Sequence, residues 1–363
     1  MTDSQITSVA ALLEGPDASA PPVGTLSPPV SRNVLARVLR QYRAGRLIEA
    51  RPVAEGLLNR GYRVTTSTGE YFLKCYVDRA TASFAAITAQ HRATGALYAR
   101  GLPLAPPLPG LDGATVTACD GRRFALFPWV RGNHRTGAQL RLTQCEELGA
   151  LLGRLHGALA EVCAPLKPSP ARPTADPRDT VALIGELREL AREHRPYGPF
   201  DLLAERRLSE RADLLETYGH RRPAPQAAGP DGWTHGDFHG LNLLFQGGRV
   251  AAVLDWDRLG VQPRGEEVVR AATLIFNDPV SGELDLARVR RYTRGYRAAA
   301  GAPPEELAAA VHRVWWERLN DFWMLRWRYQ RADRRADRLF PAAAAQTVWW
   351  CQEYEQVLDA FVN

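Results

Sequence analysis

The segment over residues 233–257 constrains the possible fold and chemistry of this chain more than any other part of it. It reads W-T-H-G-D-F-H-G-L-N-L-L-F-Q-G-G-R-V-A-A-V-L-D-W-D and carries three oxygen-bearing side chains at fixed offsets. Asp237 lies five residues before Asn242, and Asn242 lies thirteen residues before Asp255. The apolar run V-A-A-V-L before Asp255 predicts a buried strand that places a carboxylate at its end.

This set of side chains is typical of a site for phosphoryl transfer. A carboxylate such as Asp237 can accept a hydrogen bond from a hydroxyl and orient it toward the γ-phosphate. Mg²⁺ takes few ligands from protein and the others from phosphate and water, so one carboxamide (Asn242) and one carboxylate (Asp255) suffice to hold it on ATP. The sequence therefore predicts an ATP- and Mg²⁺-dependent transfer to a hydroxyl. Asp257, two residues further on, is expected to be structural.

The same segment has other readings, which concern its histidines and its first aspartate. An isolated H-G-D is most often a turn capped by the aspartate, and the two later oxygen ligands argue against that reading for Asp237. H-x-D-x-H could form a zinc site from His235 and His239, but no further His or Cys follows at ligand spacing. His235 is instead expected to be buried and to bond the loop backbone, and His239 to face the phosphates or the substrate.

A lysine is conspicuous in this chain because arginine supplies nearly all of its positive charge. Lysine and arginine together number 46, and lysine occurs only at positions 74 and 167. Lys74 lies inside the apolar strand E-Y-F-L-K-C-Y-V, on the same side as Phe72 and Tyr76. A compact ammonium differs from a guanidinium fork when it is buried beside phosphates, so Lys74 is predicted to contact the α- and β-phosphates. The alternative is a solvated residue on an edge strand.

Composition and charge exclude several classes of protein. The 363 residues are 45% hydrophobic and 24% charged, which is typical of a globular protein with two or three lobes. The net charge of +6 comes from dispersed arginines, so no nucleic-acid partner is predicted. No apolar run is long enough for a membrane span, and the first residues lack the pattern of a secretory signal. Five cysteines without a CxxC pair indicate reduced thiols and a cytoplasmic location.

Local patterns predict an N-terminal lobe made of a small antiparallel sheet and helices. Residues 1–30 are proline-rich and poor in aromatic residues, and they are expected to form a disordered arm. S-T-G between two apolar runs, and D-G further along, predict hairpin turns, and Gly101 predicts the end of a helix. The predicted elements are helices over 31–42 and 80–100 and strands over 57–66, 70–77, 114–119 and 122–130.

The remainder is predicted to be mostly helical. T-Q-C-E over 143–146 predicts a capping box at the start of a helix. Six of the nine tryptophans lie after residue 314, and their spacing favours core packing; the alternative is a wall that stacks on a sugar or cages a cation. The predicted elements are helices over 143–160, 179–193, 200–218, 266–276 and 285–300, two long helical segments within 305–361, and short strands over 242–245 and 249–255.

Together these motifs resemble those of the aminoglycoside phosphotransferase superfamily, which includes homoserine kinase type II and choline kinase. The resemblance rests on H-G-D-F-H-x-x-N and V-L-D-W-D and extends to N-R-G-Y-R-V at 59–64, G-L-P-L-A-P-P-L at 101–108 and F-P-W-V-R-G at 127–132. It implies an α+β, protein-kinase-like bilobal fold with ATP bound between the lobes. The N-lobe, over 31–130, would carry the antiparallel sheet and a helix. The C-lobe, over 131–363, would be mostly helical and carry the catalytic and substrate-binding groups.

The resemblance also implies roles for individual residues. Asp237 would be the catalytic base, and Asn242 and Asp255 would hold Mg²⁺. Lys74 would bind phosphates, and Asn59 would lie in the hairpin that covers the nucleotide. The adenine would meet backbone groups at the junction of the lobes, where Pro128 can only accept a hydrogen bond and Val130 would donate one.

The sequence departs from the family pattern at two positions. The helix glutamate that usually pairs with the lysine is replaced by Gln90, which can hydrogen-bond Lys74 but cannot neutralise it. Either the ion pair is absent, or Glu70 or another acid supplies it. The usual aspartate after the D-W-D strand is replaced by Glu266 or Glu267.

The resemblance leaves the acceptor open. W-D in place of F-G after Asp255, and the absence of A-P-E, argue against a protein kinase. The presence of all four proposed site groups argues against a nucleotide-binding pseudokinase. The expected partner is a small molecule with a free hydroxyl, either an aminoglycoside or other antibiotic, which would mean a resistance enzyme, or an amino alcohol; a metabolic homoserine- or choline-like kinase is the alternative. ATP against GTP, and the oligomeric state, are open as well.

Overall fold

The structure, a computed structural model, describes residues 30–53, 59–77, 83–166, 172–225 and 229–363. The predicted N-terminal arm, over 1–30, lies outside the described residues except for Val30. The first residues of the strand predicted over 57–66 and of the helix predicted over 80–100 lie outside them too, as does the second lysine, Lys167.

A five-stranded antiparallel sheet and two helices form the N-lobe. The strands are β1 (Leu47–Val53), β2 (Arg60–Thr66), β3 (Glu70–Tyr76), β4 (Thr117–Cys119) and β5 (Arg122–Pro128), and the helices are α1 (Arg32–Leu39) and α2 (Phe84–Ala99). The strand order is β1-β2-β3-β5-β4, so the strand that carries Lys74 lies at the centre of the sheet. Leu39, Leu73 and Phe124 are buried in a hydrophobic cluster between α1 and the sheet.

The two predicted hairpins of the N-lobe are confirmed, and one strand of this lobe, β1, was missed; β6 and β9 of the C-lobe were not predicted either. Thr66 N donates to Gly69 O across S-T-G, and Asp120 and Gly121 both have positive φ, 50° and 69°, as a two-residue D-G turn requires. β1 was not predicted because L-I-E-A-R-P-V lacks an alternation of apolar and polar residues. It lies at the edge of the sheet with no fully buried side chain, a position that tolerates Pro52.

Helices and two small hairpin-like sheets form the C-lobe. The helices are α3 (Leu142–Val162), α4 (Pro177–Glu193), α5 (Pro199–Tyr218), α6 (Arg264–Ile275), α7 (Leu286–Ala300), α8 (Pro304–Asn320), α9 (Trp323–Arg331), α10 (Phe340–Gln352) and α11 (Tyr354–Val362). The strands are β6 (Asp231–Thr234), β7 (Leu243–Gln246), β8 (Arg249–Val253) and β9 (Gly260–Pro263); β6 pairs with β9 and β7 with β8.

The predicted capping box of α3 is wrong in its position. The helix begins at Leu142, and Gln144 Oε1 accepts from Arg141 N at 2.9 Å, so the side chain that caps the first turn is Gln144. Glu146, the acid of the predicted box, instead pairs with Arg294 on α7. The prediction failed because Gln144, three residues after Arg141, offers the same contact two residues earlier in the chain.

Two glycines set how closely α3 and α7 pack. A Cβ on Gly149 of α3 would overlap the carbonyl oxygen of Tyr292, and a Cβ on Gly295 of α7 would overlap that of Glu146. The helices therefore approach backbone to backbone, with His156 of α3 bonded to Tyr296 of α7 at 3.0 Å. This contact fixes the position of α3 behind the candidate site.

Replacing Gly149 with alanine is expected to destabilise the fold by about 2–3 kcal/mol, because the added methyl group must push the two helices apart. Gly157 is the matched control, since it lies on the same helix with open space around a Cβ. Gly157→Ala should stabilise the protein by about 0.5–1 kcal/mol. Thermal unfolding of both variants tests the expectation, and equal Tm shifts would contradict it.

The C-terminal part forms four helices where two long segments were predicted. Asp321 ends α8 and its Oδ1 accepts from Trp323 N at 3.0 Å, so a helix cap interrupts the apolar pattern there. Further breaks separate α9 from α10 and α10 from α11. The predicted role of the tryptophans in core packing is confirmed for five of them, which are at most 5% exposed: Trp315, Trp316, Trp323, Trp327 and Trp350.

Candidate active site

The loop that follows β6 is fixed from below by a buried carboxylate. Glu267, near the start of α6, accepts from His235 N at 3.1 Å and from Gly236 N at 2.5 Å. Its Oε2 also meets His156 Nε2 at 2.7 Å. Gly236 has φ +81°, and a Cβ there would overlap the carbonyl oxygen of Arg258, so only glycine fits this turn. Of the two glutamates that the sequence offered, Glu267 is the one beneath the loop.

His235 uses both ring nitrogens within the loop. Its Nε2 lies 2.8 Å from Leu254 O, and its Nδ1 accepts from Asp237 N at 3.1 Å. Burial lowers the pKa of His235 despite the nearby carboxylates, which keeps the ring neutral. Since neither nitrogen is left for a metal, the zinc-site reading of H-x-D-x-H has no support in this geometry.

Asp237 and Asn242 lie together in the loop, and both are largely buried. Asn242 Nδ2 donates to Asp237 O at 2.9 Å and to Asp237 Oδ2 at 3.2 Å. His239 Nδ1 accepts from Leu241 N, and its Nε2 lies 3.5 Å from Asp237 Oδ2. The carboxylate of Asp237 is thus flanked by an amide and an imidazole, both of which hold its orientation.

A main-chain bond joins this loop to the end of β8. Leu254 N donates to Asn242 O at 2.8 Å, which places Asp255 beside the loop. Asp255 has φ 56°, a left-handed conformation that is uncommon for a residue with a side chain, and its side chain is 43% exposed. With Asn242 Nδ2 turned to Asp237, the amide oxygen is available as a ligand. A carboxamide oxygen and an accessible carboxylate are the donors that Mg²⁺ prefers, so the residues present fit this cation.

Lys74 reaches this site from the central strand of the N-lobe. Its Nζ lies 2.7 Å from Asp255 Oδ1 and 2.7 Å from Asp257 Oδ2. Burial opposes the charge of the ammonium, but the two carboxylates outweigh it and raise the pKa of Lys74. Lys74 is therefore charged and buried, and the alternative of a solvated edge residue is wrong.

Both acids that pair with Lys74 come from the C-lobe. Gln90 of α2 does not bond Lys74; its Nε2 donates to Asp257 O at 2.9 Å. Glu70, the other acid considered, pairs with Arg63 at 2.6 Å. Asn59 Nδ2 donates to Asp257 Oδ2 at 2.5 Å. The sequence analysis did not predict that Asp257 pairs with Lys74. The only sequence feature that pointed to this contact was its position two residues after Asp255.

The segment predicted to meet the adenine joins the two lobes. Pro128 ends β5, where it pairs with Tyr71 of β3, and Trp129 N donates to Glu70 O at 3.3 Å. Both Pro128 and Val130 are half-buried. Asn133 then exchanges backbone hydrogen bonds with Phe245 of β7, which ties the segment to the C-lobe.

Comparison with known proteins identifies the family. The sequence profile described as the Phosphotransferase enzyme family (APH) matches residues 49–302. The chain belongs to this phosphotransferase family. The predicted resemblance and the kinase-like bilobal fold are thereby confirmed, and the protein is a small-molecule kinase that transfers a phosphoryl group to a hydroxyl.

Individual relatives of this phosphotransferase differ in what they phosphorylate. The homoserine kinase of Burkholderia cenocepacia (strain HI2424) is 28% identical over 320 residues, which cover 82% of this chain and 88% of that protein. A spectinomycin phosphotransferase in complex with ADP and spectinomycin has a TM-score of 0.65 at 15% identity, covering 91% of this chain and 100% of that one. A microcompartment-associated aminopropanol kinase has a TM-score of 0.58 at 20% identity, covering 92% and 99%. The two structural likenesses show the fold alone.

Within the part of the phosphotransferase that the structure describes, no helix combines the length and the apolar character that a bilayer-spanning helix needs.

Proposed function

We propose that this phosphotransferase moves the γ-phosphate of Mg-ATP to the hydroxyl of a small amino alcohol of the homoserine type, in the cytoplasm. The observation that carries the reaction is the cluster of Asp237, Asn242, Asp255 and Lys74, contributed by a loop, a strand end and the opposite lobe. Asn242 and Asp255 would hold Mg²⁺, which when bound would offset the negative charge of the phosphates during transfer.

Asp237 is the proposed catalytic base. Its Oδ2 is oriented by Asn242 Nδ2 at 3.2 Å, so it can accept the proton of the acceptor hydroxyl as that oxygen attacks the γ-phosphate. His239, 3.5 Å from the same oxygen, would stabilise the carboxylate while it is negative. His235 takes no part in proton transfer, because both of its nitrogens hold the loop.

The nucleotide would lie between the lobes. Lys74 would contact the phosphates. Asn59 and Gln90 would not contact the nucleotide themselves but would hold Asp257, which pairs with Lys74. The adenine would bond backbone groups at Pro128 and Val130, where Pro128 can offer only its carbonyl oxygen.

The acceptor class rests on sequence similarity and on the burial of the tryptophans. Similarity to homoserine kinases extends over 82% of this chain, including the C-lobe, where acceptors are expected to bind. A cage for a quaternary ammonium needs aromatic faces that are open to a ligand. Five of the C-terminal tryptophans are in the core instead, which disfavours a choline-type substrate.

A coupled assay of ADP release tests the proposal. Purified protein with Mg-ATP or Mg-GTP is presented with homoserine, aminopropanol, choline and spectinomycin. The expected result is a kcat/KM with homoserine or aminopropanol at least about 100-fold above that with choline or spectinomycin, since a mismatched polar group costs several kcal/mol. Removal of Mg²⁺ with EDTA should abolish turnover. Turnover of spectinomycin alone would replace the proposed acceptor with an antibiotic.

A further inference from the structure

The ammonium of Lys74 lies between two carboxylates that differ in their surroundings. Both distances from Nζ are 2.7 Å, to Asp255 Oδ1 and to Asp257 Oδ2. The side chain of Asp255 is 43% exposed, whereas that of Asp257 is 15% exposed. One carboxylate can therefore turn to a ligand in the cleft, and the other is enclosed by protein.

Asp257 is held by groups from two separate elements of the N-lobe. Asn59 Nδ2 donates to its Oδ2 at 2.5 Å, and Gln90 Nε2 of α2 donates to its main-chain oxygen at 2.9 Å. Asn59 is itself fixed, because its Oδ1 accepts from Val77 N at 2.8 Å. Side chain and backbone of Asp257 are thus both anchored, which is more than a residue needs if it only forms part of the turn between β8 and β9.

The buried ammonium of Lys74 needs a carboxylate that stays beside it when nucleotide and metal bind. Asp255 turns away from Lys74 when it binds a divalent cation, and the negative phosphates of metal-free ATP would displace the same exposed side chain. In either case Asp255 no longer holds the ammonium, and an unpaired buried ammonium is costly. Gln90 carries no charge to replace it, and Glu70 is engaged by Arg63. Among the residues that contact Lys74 in the described structure, Asp257 is the acid that remains.

We propose that Asp257 is the positioning residue for Lys74: it supplies from the C-lobe the carboxylate that holds the ammonium against the phosphates of the nucleotide. Gln90 and Asn59 in turn hold Asp257 in position. A glutamate at position 90 would itself pair with Lys74, whereas Gln90 orients Asp257, which supplies the carboxylate. The inference rests on the proposed binding of nucleotide phosphates by Lys74. Through its contacts with Lys74, Asn59 and Gln90, Asp257 also connects the C-lobe to the N-lobe.

Binding measurements separate this role from that of a second metal ligand. ATP is titrated by calorimetry into wild type and Asp257→Asn in the presence of EDTA, and Mn²⁺ is then titrated into the complexes with a non-hydrolysable ATP analogue. Asp257→Asn keeps an oxygen for Asn59 and the main-chain bond to Gln90, so it should fold. We expect Asp257→Asn to bind metal-free ATP about 10- to 100-fold more weakly than wild type, a loss that corresponds to one hydrogen bond to a charged group. The affinity for Mn²⁺ should be unchanged.

A rescue variant makes the test independent of folding. Gln90→Glu places an acid on α2, and in the Asp257→Asn background it should recover ATP affinity to within about threefold of wild type. Glu70→Gln is the matched control, since it removes an acid from the same strand as Lys74 and should leave ATP affinity unchanged. An Asp257→Asn variant with normal metal-free ATP affinity and weakened Mn²⁺ affinity would overturn the proposal and make Asp257 a metal ligand.

Failure of the proposed function gives a different pattern. If the Asp255→Asn variant retains the Mn²⁺ affinity of wild type, the proposed metal site is wrong, whatever the result at Asp257. If Lys74→Ala binds metal-free ATP as wild type does, the phosphate role of Lys74 is wrong and the inference about Asp257 fails with it.

Discussion

Asp237→Asn is expected to lower kcat by about 10²- to 10⁴-fold while the affinity for Mg-ATP changes by less than about threefold. Asparagine has the same shape and keeps an oxygen for the bond from Asn242 Nδ2, so the loop should retain its conformation. It cannot accept the hydroxyl proton, and the loss therefore falls on the chemical step. Steady-state kinetics with the best acceptor, together with calorimetric binding of Mg-ATP, measure the two quantities separately.

The control for this prediction is Asp213→Asn, which removes an exposed aspartate from α5 and should leave both quantities unchanged. A kcat within about fivefold of wild type for Asp237→Asn would contradict the role of Asp237 as the base, because a positioned proton acceptor contributes at least about 100-fold. Equal losses in kcat and in Mg-ATP affinity would instead indicate a disturbed loop.

Glu267→Gln is expected to reduce both stability and activity. The carboxylate of Glu267 accepts from two consecutive backbone N–H groups and meets His156, all in the interior. A carboxamide offers one oxygen and one NH₂, so at least one of these donors loses its acceptor. Breaking such a buried charged cluster costs about 3–5 kcal/mol. Chemical denaturation should show this loss, and kcat should fall because the backbone of His235 and Gly236 sets the position of Asp237.

The pH dependence of stability gives this prediction a second readout. Burial opposes the charge of Glu267, but the hydrogen bond with His156 and nearby positive groups outweigh it, so the pKa of Glu267 is lowered from 4.5. A carboxyl with a lowered pKa stabilises the fold above its ordinary value, and this contribution is lost as the pH falls through the lowered value. Wild type should therefore lose stability more steeply than Glu267→Gln as the pH falls below 4.5.

Exposed acids distinguish this effect from a general loss of charge. Glu216→Gln on α5 removes an exposed carboxylate and should shift the free energy of unfolding by no more than about 0.5 kcal/mol. A Glu267→Gln protein with the stability and acid sensitivity of wild type would show that the carboxylate beneath the loop is dispensable.

The sequence predicted those parts of the fold that local chemistry determines. The D-G and S-T-G turns, the left-handed glycine that follows α2 at Gly101 and most helices lie where predicted, because turn residues and apolar spacing act over a few residues. β1 was missed because an edge strand needs no apolar face. The C-terminal breaks were missed because the apolar pattern continues across them, and only the cap by Asp321 shows where α8 ends.

The sequence by itself determined the reaction, since Asp237, Asn242, Asp255 and Lys74 are of the types and at the spacings that phosphoryl transfer requires. Only the tertiary structure decided which acid serves Lys74 and which glutamate supports the loop. Gln90 and Asp257 are far apart in sequence and meet where the two lobes close. His156 and Glu267 are also far apart in sequence, and they meet where two helices of the C-lobe pack. Such pairings depend on how separate elements pack, and no local pattern in the chain records them.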